Sequence, residues 1–414
     1  MSAIRPSSPV RPSDLIHPVV AGLISVIVNY GGTFVLVFQA AKVAGLSPAL
    51  TASWVWSVSI GVGVTGLVLS WRFREPIITA WSTPAAAFLV TALASTSYAE
   101  AVGAYLISAA AFVALGLSGC FDRVIRLIPP GVAAGLLAGI LLPFGIKAFG
   151  GVSIDPSLAG LLIVTYVVLK RCTARYAVVG LLALGLAFLL VQNRVDLSGL
   201  ELKLAAPVFT WPEFSLNALL SVALPLFLVT LTGQYMPGML VLRNDGFRSS
   251  ADPIVAVTGL GSLLMAPFGS HAFNIAAITA AICTGREAHE DPARRWIAGI
   301  AAGLFYILVG VFGVTLAAVF TAFPSTFITT LAGLALLGTI GGSLAGALAD
   351  AKTREASLIT FLAAAANITL FGIGGAFWGL VIGLGAHAVL HGRMPRLAWR
   401  SVAASTTGSV IGQG

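Results

Sequence analysis

Long apolar runs broken by short polar clusters recur from one end of the chain to the other. Runs at 15–41, 48–71, 100–120, 129–147, 214–241, 295–321 and 326–349 are near or above the roughly 20 residues that an α-helix needs to cross about 30 Å of hydrocarbon. Shorter apolar runs fall at 84–95, 156–170, 175–192, 252–266, 271–284, 355–371 and 376–391, and a polar stretch at 193–213 separates the seventh run from the eighth. The pattern predicts an all-α polytopic membrane protein of about fourteen transmembrane segments. No stretch is long and polar enough to form a separate soluble domain.

Composition agrees. Hydrophobic residues make up 58% of the 414 residues and charged residues 9%, against about 25% charged in a soluble domain. Lipid, not water, is the solvent this surface suits. The net charge of +8 does not point to nucleic acid, because the basic residues sit in clusters between apolar runs. Such clusters mark loops kept on the cytoplasmic side. With both termini inside, nineteen Lys and Arg fall inside, among them Arg72, Arg74, Arg123, Lys170, Arg243 and Arg248. Only Lys42, Lys147, Arg194 and Lys203 fall outside. The polar N-terminal stretch lacks a small-residue cleavage site, so the first apolar run is expected to be retained. Cys120, Cys172 and Cys283 are expected as thiols in a reducing compartment, without metal-ligand spacing. No metal or other cofactor is expected.

The halves echo each other. Pro130 and Leu137-Ala138-Gly139 match Pro324 and Leu331-Ala332-Gly333 at an offset of 194, as do Gly116 and Gly119 with Gly310 and Gly313. Ser82, Thr91 and Ala92 match Ser270, Thr279 and Ala280 at an offset of 188. An odd number of segments per half forces the second half to enter from the opposite side. The result is two inverted seven-span repeats, 1–192 and 214–414, joined by an external loop, 193–213, a layout typical of secondary transporters.

The third segment of each repeat carries the candidate site. Ala80-Trp81-Ser82-Thr83-Pro84 places N-cap residue types and a first-turn proline just ahead of a run too short to cross the bilayer. Pro267-Phe268-Gly269-Ser270-His271-Ala272-Phe273-Asn274 does the same from the other side. Two half-helices are predicted to face one another near the midplane, with free N–H groups at 85–87 and 272–274 and a partial positive charge suited to an anion. Candidate substrate contacts are Asn29, Tyr30, Ser82, Thr83, Ala85, Ala86, Ala87, Phe88, Gln234, Tyr235, Ser270, His271, Ala272, Phe273 and Asn274. The polar members within the spans, Asn29, Tyr30, Gln234 and Tyr235, serve equally well as interhelical hydrogen-bonding groups. His271 either caps its half-helix or carries a coupling proton, and Glu100 is the second coupling candidate. His387 and His391 share a helix face, but no second pair accompanies them as ligands.

The stretches Val37-Phe38-Gln39-Ala40-Ala41, Ala80-Trp81-Ser82-Thr83-Pro84 and Glu100-Ala101-Val102-Gly103-Ala104 resemble the benzoate/proton symporter family (BenE-type). The resemblance covers nearly the full length, and it extends more distantly to uracil and xanthine permeases and to bicarbonate and sulfate transporters. It implies a core domain from 15–120 and 214–321 and a gate domain from 129–192 and 326–391, with substrate between half-helices 3 and 10. Uracil permeases begin the tenth span with Gly-Glu-Asn, whose Glu binds the nucleobase. Here Ala272-Phe273-Asn274 stands in that place. Loss of the carboxylate favours an anion, and Phe273, Phe88 or Tyr30 would offer a ring to stack on.

The expected function is proton-coupled import of benzoate or a similar aromatic carboxylate across a bacterial inner membrane, with a homodimer possible. Another anion or a nucleobase is the alternative. A channel is disfavoured because the polar positions cluster at one depth. A membrane-embedded enzyme is disfavoured because no nucleophile, metal cluster or acid pair sits at depth. No Gly-x-x-x-x-Gly-Lys-Ser/Thr stretch points to an ATP-driven pump.

Overall fold

The structure, a computed structural model, describes residues 13–172, 177–195, 201–277, 279–286, 288–368, 370 and 375–391. The first repeat runs through α1 (Ser13–Thr33), α2 (Val35–Val43) and α3 (Pro48–Phe73), then a short strand β1 (Thr79–Trp81) and α4 (Thr83–Ala92). It continues through α5 (Tyr98–Ser118), a short α6 (Phe121–Leu127), α7 (Pro130–Ile154), α8 (Pro156–Cys172) and α9 (Ala177–Val191). The second repeat opens with a long span in pieces: α10 (Leu216–Ala218), α11 (Leu224–Thr230) and α12 (Met236–Asn244), separated by π-helical turns at Leu219–Ala223 and Leu231–Tyr235. It continues through α13 (Ala251–Met265), β2 (Phe273–Ile275), α14 (Ala280–Thr284), α15 (Trp296–Val311), α16 (Gly313–Thr321), α17 (Ser325–Leu348), α18 (Arg354–Ala365) and α19 (Gly375–His391).

Local chemistry sets the helix ends. Ser47 caps α3 by accepting from the Leu50 N–H at 3.3 Å, with Pro48 at the first helical position. Ser97 and Glu100 form a reciprocal capping box on α5, which ends at Gly119 in the left-handed conformation. Each device satisfies N–H groups that a helix start leaves open. Eight helical segments among the described residues are long and apolar enough to cross a membrane, and α4, α9 and α19 are shorter apolar helices. Large apolar side chains stay exposed on outer faces, such as Val164, Val167 and Val168 on α8 and Leu304 and Leu308 on α15. In water such faces would aggregate; in lipid they need no cover.

The helices pack in two groups. In one, α3 lies against α15, α5 against α13, and α1 against α15 and α14. In the other, α7 lies against α17 and α18, and α18 against α19. The connector from 201 to 215 has almost no regular structure and straps across the first group. Val208 N–H donates to Ser53 Oγ, Thr210 N–H to the Pro267 carbonyl and Glu213 N–H to the Ala99 carbonyl, at 2.8, 2.7 and 3.0 Å.

The predicted half-helix pair takes a specific form. β1 and β2 pair antiparallel, with Thr79 opposite Ile275, Ala80 opposite Asn274 and Trp81 opposite Phe273. The paired residues are 196, 194 and 192 apart, centred on the offset of 194 that relates the other matched positions. Helix in the second arm starts at Ala280 and not near His271. The reason is hydrogen bonding: the 272–276 backbone joins the first arm, with the Ala272 carbonyl accepting from Ser82 N–H and Ala276 N–H donating to the Ile78 carbonyl.

Candidate transport site

A cavity of about 890 Å³ begins where the two arms cross and runs between the two helix groups. It is lined by Asn29 and Thr33 from α1, Ala80 and Trp81 from β1, Thr83 and Pro84 at the start of α4, and Ala276, Ala277 and Thr279 ahead of α14. Thr232, Gly233 and Gln234 line it from the second π-helical turn. Leu137, Ala133, Leu336 and Tyr166 give the opposite wall an apolar character. The exposed part of the lining includes Lys170, Arg243 and Asp122, with Arg243 Nη2 at 3.8 Å from Asp122 Oδ1. Two cations against one carboxylate make this part attractive to an anion.

The first arm supplies the polar end of the cavity. Ser82 Oγ accepts from Ala85 N–H at 3.3 Å, and the Ser82 carbonyl accepts from Ala86 N–H at 2.8 Å. The N–H groups of Ala85 and Ala86, expected to be open to a carboxylate, are therefore satisfied within the helix start. The cavity reaches the positive end of α4 at Thr83 instead. Thr230 Oγ1 donates to Ser82 Oγ at 2.9 Å, tying this arm to α11. Trp81 Nε1 donates to Thr33 Oγ1 at 3.2 Å, and Asn29 Nδ2 to Tyr306 Oη at 2.6 Å.

Of the residues singled out from sequence, Asn29, Thr83 and Gln234 reach the cavity wall. The others stand behind it. Tyr30 donates to Ser59 Oγ at 2.6 Å and sits edge-on to Trp81, with ring centroids 5.2 Å apart. Ala85, Ala86, Ala87 and Phe88 are buried along α4. Tyr235 Oη donates to the Phe273 carbonyl at 3.0 Å. Ser270, Ala272 and Asn274 are buried in the second arm. Phe273 is fully buried against α3 and α13, and a Cβ at Gly61 would fall 2.1 Å from its ring. Its N–H donates to Ser262 Oγ at 2.7 Å, so it offers nothing free to a ligand. His271 Nδ1 accepts from Trp54 Nε1 at 3.2 Å. Glu100 is committed to the α5 capping box. Sequence reasoning missed Trp81, Thr33 and Thr232. Trp81 was in view within the Ala-Trp-Ser-Thr-Pro stretch, whereas nothing in the pattern marked the π-helical turn that turns Thr232 and Gln234 inward.

The arrangement defines a class: a membrane transporter of two inverted seven-segment repeats, with its candidate site where two short arms cross between two helix groups. The chain matches the family "Benzoate membrane transport protein" (BenE) over residues 13–389 and belongs to it. It is 41% identical to "Inner membrane protein YdcO" of Escherichia coli over 371 residues, covering 90% of this chain and 95% of that one. It is 40% identical to the "Benzoate membrane transport protein" of Acinetobacter baylyi, covering 90% and 94%. Among solved structures, the transmembrane domain of the cyanobacterial bicarbonate transporter BicA aligns with a TM-score of 0.60 at 14% identity, over 91% of this chain and 99% of that one. SLC26A9 aligns with a TM-score of 0.62 at 11% identity, over 92% and 66%. These likenesses carry the fold and not the substrate.

Proposed function

We propose that the protein imports benzoate or a similar aromatic carboxylate by proton symport with alternating access, as a multi-pass protein of the bacterial inner membrane with both termini in the cytoplasm. The observation that carries this reading is the cavity at the arm crossing. It joins the positive start of α4 and the side chains of Thr83, Asn29 and Gln234 to apolar walls from Trp81, Pro84 and Leu137. A carboxylate finds donors and a favourable helix end there, and a ring finds apolar surface. The 40% identity to a benzoate transport protein supports the same substrate class. In this reading the helix group of α1–α5 and α10–α16 is the core and that of α7–α9 and α17–α19 the gate. The part with Lys170 and Arg243 then faces the cytoplasm.

His271 is the coupling group in this proposal. An indole N–H only donates, so its bond to Nδ1 fixes the neutral ring with hydrogen on Nε2. A proton can join Nδ1 only when Trp54 lets go, which makes protonation conditional on a rearrangement. Glu100 is the weaker candidate, because its capping role on α5 holds it at the protein surface.

The test is uptake into proteoliposomes of labelled benzoate under an imposed inward proton gradient, with bicarbonate and uracil as competitors. Accumulation that benzoate alone supports is expected; uptake indifferent to benzoate would end the reading. Orientation is checked in intact cells with an impermeant thiol reagent on Lys203→Cys and Arg248→Cys proteins. Label is expected on the first only, and label on the second alone would invert the topology.

A further inference from the structure

The rings of Tyr98, Tyr105 and His271 pack around the Trp54 indole, with Ser270 beside His271 in the turn ahead of β2 and Ser108 three residues past Tyr105 on α5. Tyr98, Tyr105 and Ser108 lie on one face of α5, spaced by seven and three residues. Ser270 and His271 come from the turn ahead of β2. Ring centroids of Tyr98, Tyr105 and His271 lie 6.2, 6.4 and 5.8 Å from that of Trp54. Gly269 has φ of 109°, and a Cβ there would fall 2.5 Å from Tyr98 Oη, so the turn closes directly on the phenol. Tyr98 Oη, Tyr105 Oη, Ser108 Oγ and Ser270 Oγ are all buried and make no hydrogen bond to a described residue, while the His271 ring has the Ser82 backbone beside it as well as Trp54. Two other buried tyrosines of the core are satisfied: Tyr306 by Asn29, and Tyr235 by Thr258 and the Phe273 carbonyl.

Buried hydroxyls rarely go unpaired, and four on two neighbouring elements call for a partner. Groups that both donate and accept, walled by aromatic rings, are the setting in which small clusters of internal water bind. We propose that Tyr98, Tyr105, Ser108, Ser270 and His271 enclose an internal water site, and that this water carries the coupling proton from the outer face to His271. The proposal rests on the symport reading for its second half only. Tyr98 marks the outer end, next to the exposed cap residue Ser97. His271 marks the inner end, one residue before the Ala272 carbonyl that binds Ser82 N–H. A chain of waters and phenols passes a proton by making one O–H bond as it breaks the next. At the inner end the Trp54 N–H turns to a water, and the proton freed by the chain joins His271 Nδ1. The ring becomes an imidazolium with no other group oxidised or reduced.

The water site is tested on the purified wild-type protein by X-ray radiolytic footprinting, in which bound water oxidises the side chains beside it. Tyr105 is expected to react about fivefold faster than the equally buried Tyr235 and Tyr306, which bond to protein atoms. Equal rates at the three tyrosines would overturn the site. The proton route is tested in proteoliposomes with Tyr105→Phe/Ser108→Ala, with Ser270→Ala as a second variant should the first elute as aggregate. Benzoate exchange at equal pH is expected to persist, while accumulation under a proton gradient falls about tenfold. Full accumulation by a folded variant would overturn the route. If the wild type shows neither exchange nor accumulation of benzoate, the substrate reading fails, and the Tyr105 footprint still decides the water site.

Discussion

The two arms that cross at the centre of the molecule descend from matching positions of the two repeats, yet they do different work. The first has a ten-residue helix, α4, with a serine cap, a proline in its first turn, and Trp81, Thr83 and Pro84 on the cavity. The second has a five-residue helix without a side-chain cap. Its largest side chain, Phe273, is driven into a notch between Gly61 and Gly261. One arm presents a helix end to the cavity; the other, which lines it with Ala276, Ala277 and Thr279, also anchors the crossing to α3 and α13. Inverted symmetry fixes where the arms run, but each side chain's neighbours decide its role.

The largest effect that separates them is expected at Phe273. Removing a fully buried ring should cost about 3–5 kcal/mol of stability. Phe273→Ala should therefore lower the thermal midpoint and yield strongly, while benzoate affinity per folded molecule stays within about twofold, since the ring lies off the cavity wall. Thermal unfolding by intrinsic fluorescence and equilibrium binding on the folded fraction measure the two. A stable Phe273→Ala protein with weak binding would reverse the assignment of the arms.

Thr83 should behave in the opposite way. Thr83→Val keeps the shape and removes the hydroxyl from the start of α4. Loss of a hydrogen bond to a charged ligand should weaken benzoate binding by about 1.5–3 kcal/mol, roughly tenfold or more in Kd, with little change in thermal midpoint. Unchanged affinity would move the carboxylate away from the first arm. Ser82→Ala should fall between the two. It deletes the cap on Ala85 N–H and the acceptor for Thr230, at a cost of about 1 kcal/mol in stability. Binding should weaken only through the looser helix start. A Ser82→Ala protein with wild-type stability would mean that the cap is not what holds α4.

The difference between the arms also explains what the sequence could and could not reveal. Apolar runs and charge clusters are properties of the chain itself, so α3, α5, α13 and α17 were legible within a few residues, whereas α7 runs on to Ile154, α18 stops at Ala365 and the short α6 was not foreseen. The Ser82-Thr83-Pro84 start was legible because capping is local. The second arm was not, because its backbone pairs with a strand 194 residues away. That pairing takes the residues after Gly269 out of helix and moves the start to Ala280. The direction of Phe273 was illegible for the same reason: the space it fills is made by glycines on two other helices. Gln234 was found as a polar residue in an apolar run, but its exposure to the cavity depends on a π-helical turn, which insertion-like backbone strain produces without a residue signature.

The smallest expected effect lies away from both arms, at the turn between α7 and α8, and it supplies a baseline for the others. The Asp155 carboxylate pairs with Arg194 and accepts from Leu158 N–H and Ser157 Oγ at 3.1 and 2.9 Å. The bond from Arg194 is the main cause that holds this carboxyl below the usual carboxylate range. A group whose folded value is depressed contributes stability above its unfolded value, and that contribution vanishes as pH falls through the folded one. The stabilisation should therefore be complete above about pH 4 and gone at more acid pH. Water reaches both partners, so screening keeps the effect small. Asp155→Asn should lower the thermal midpoint by about 1–2 °C at pH 7 and by progressively less as the pH falls through the acid range. High salt should shrink the difference at pH 7, because exposed charges are screened within about 3 Å at 1 M. Benzoate binding should not change, since the turn is remote from the cavity wall. A midpoint difference that persists undiminished at acid pH would show that Asn disrupts the turn itself, and that the ion pair contributes nothing of its own.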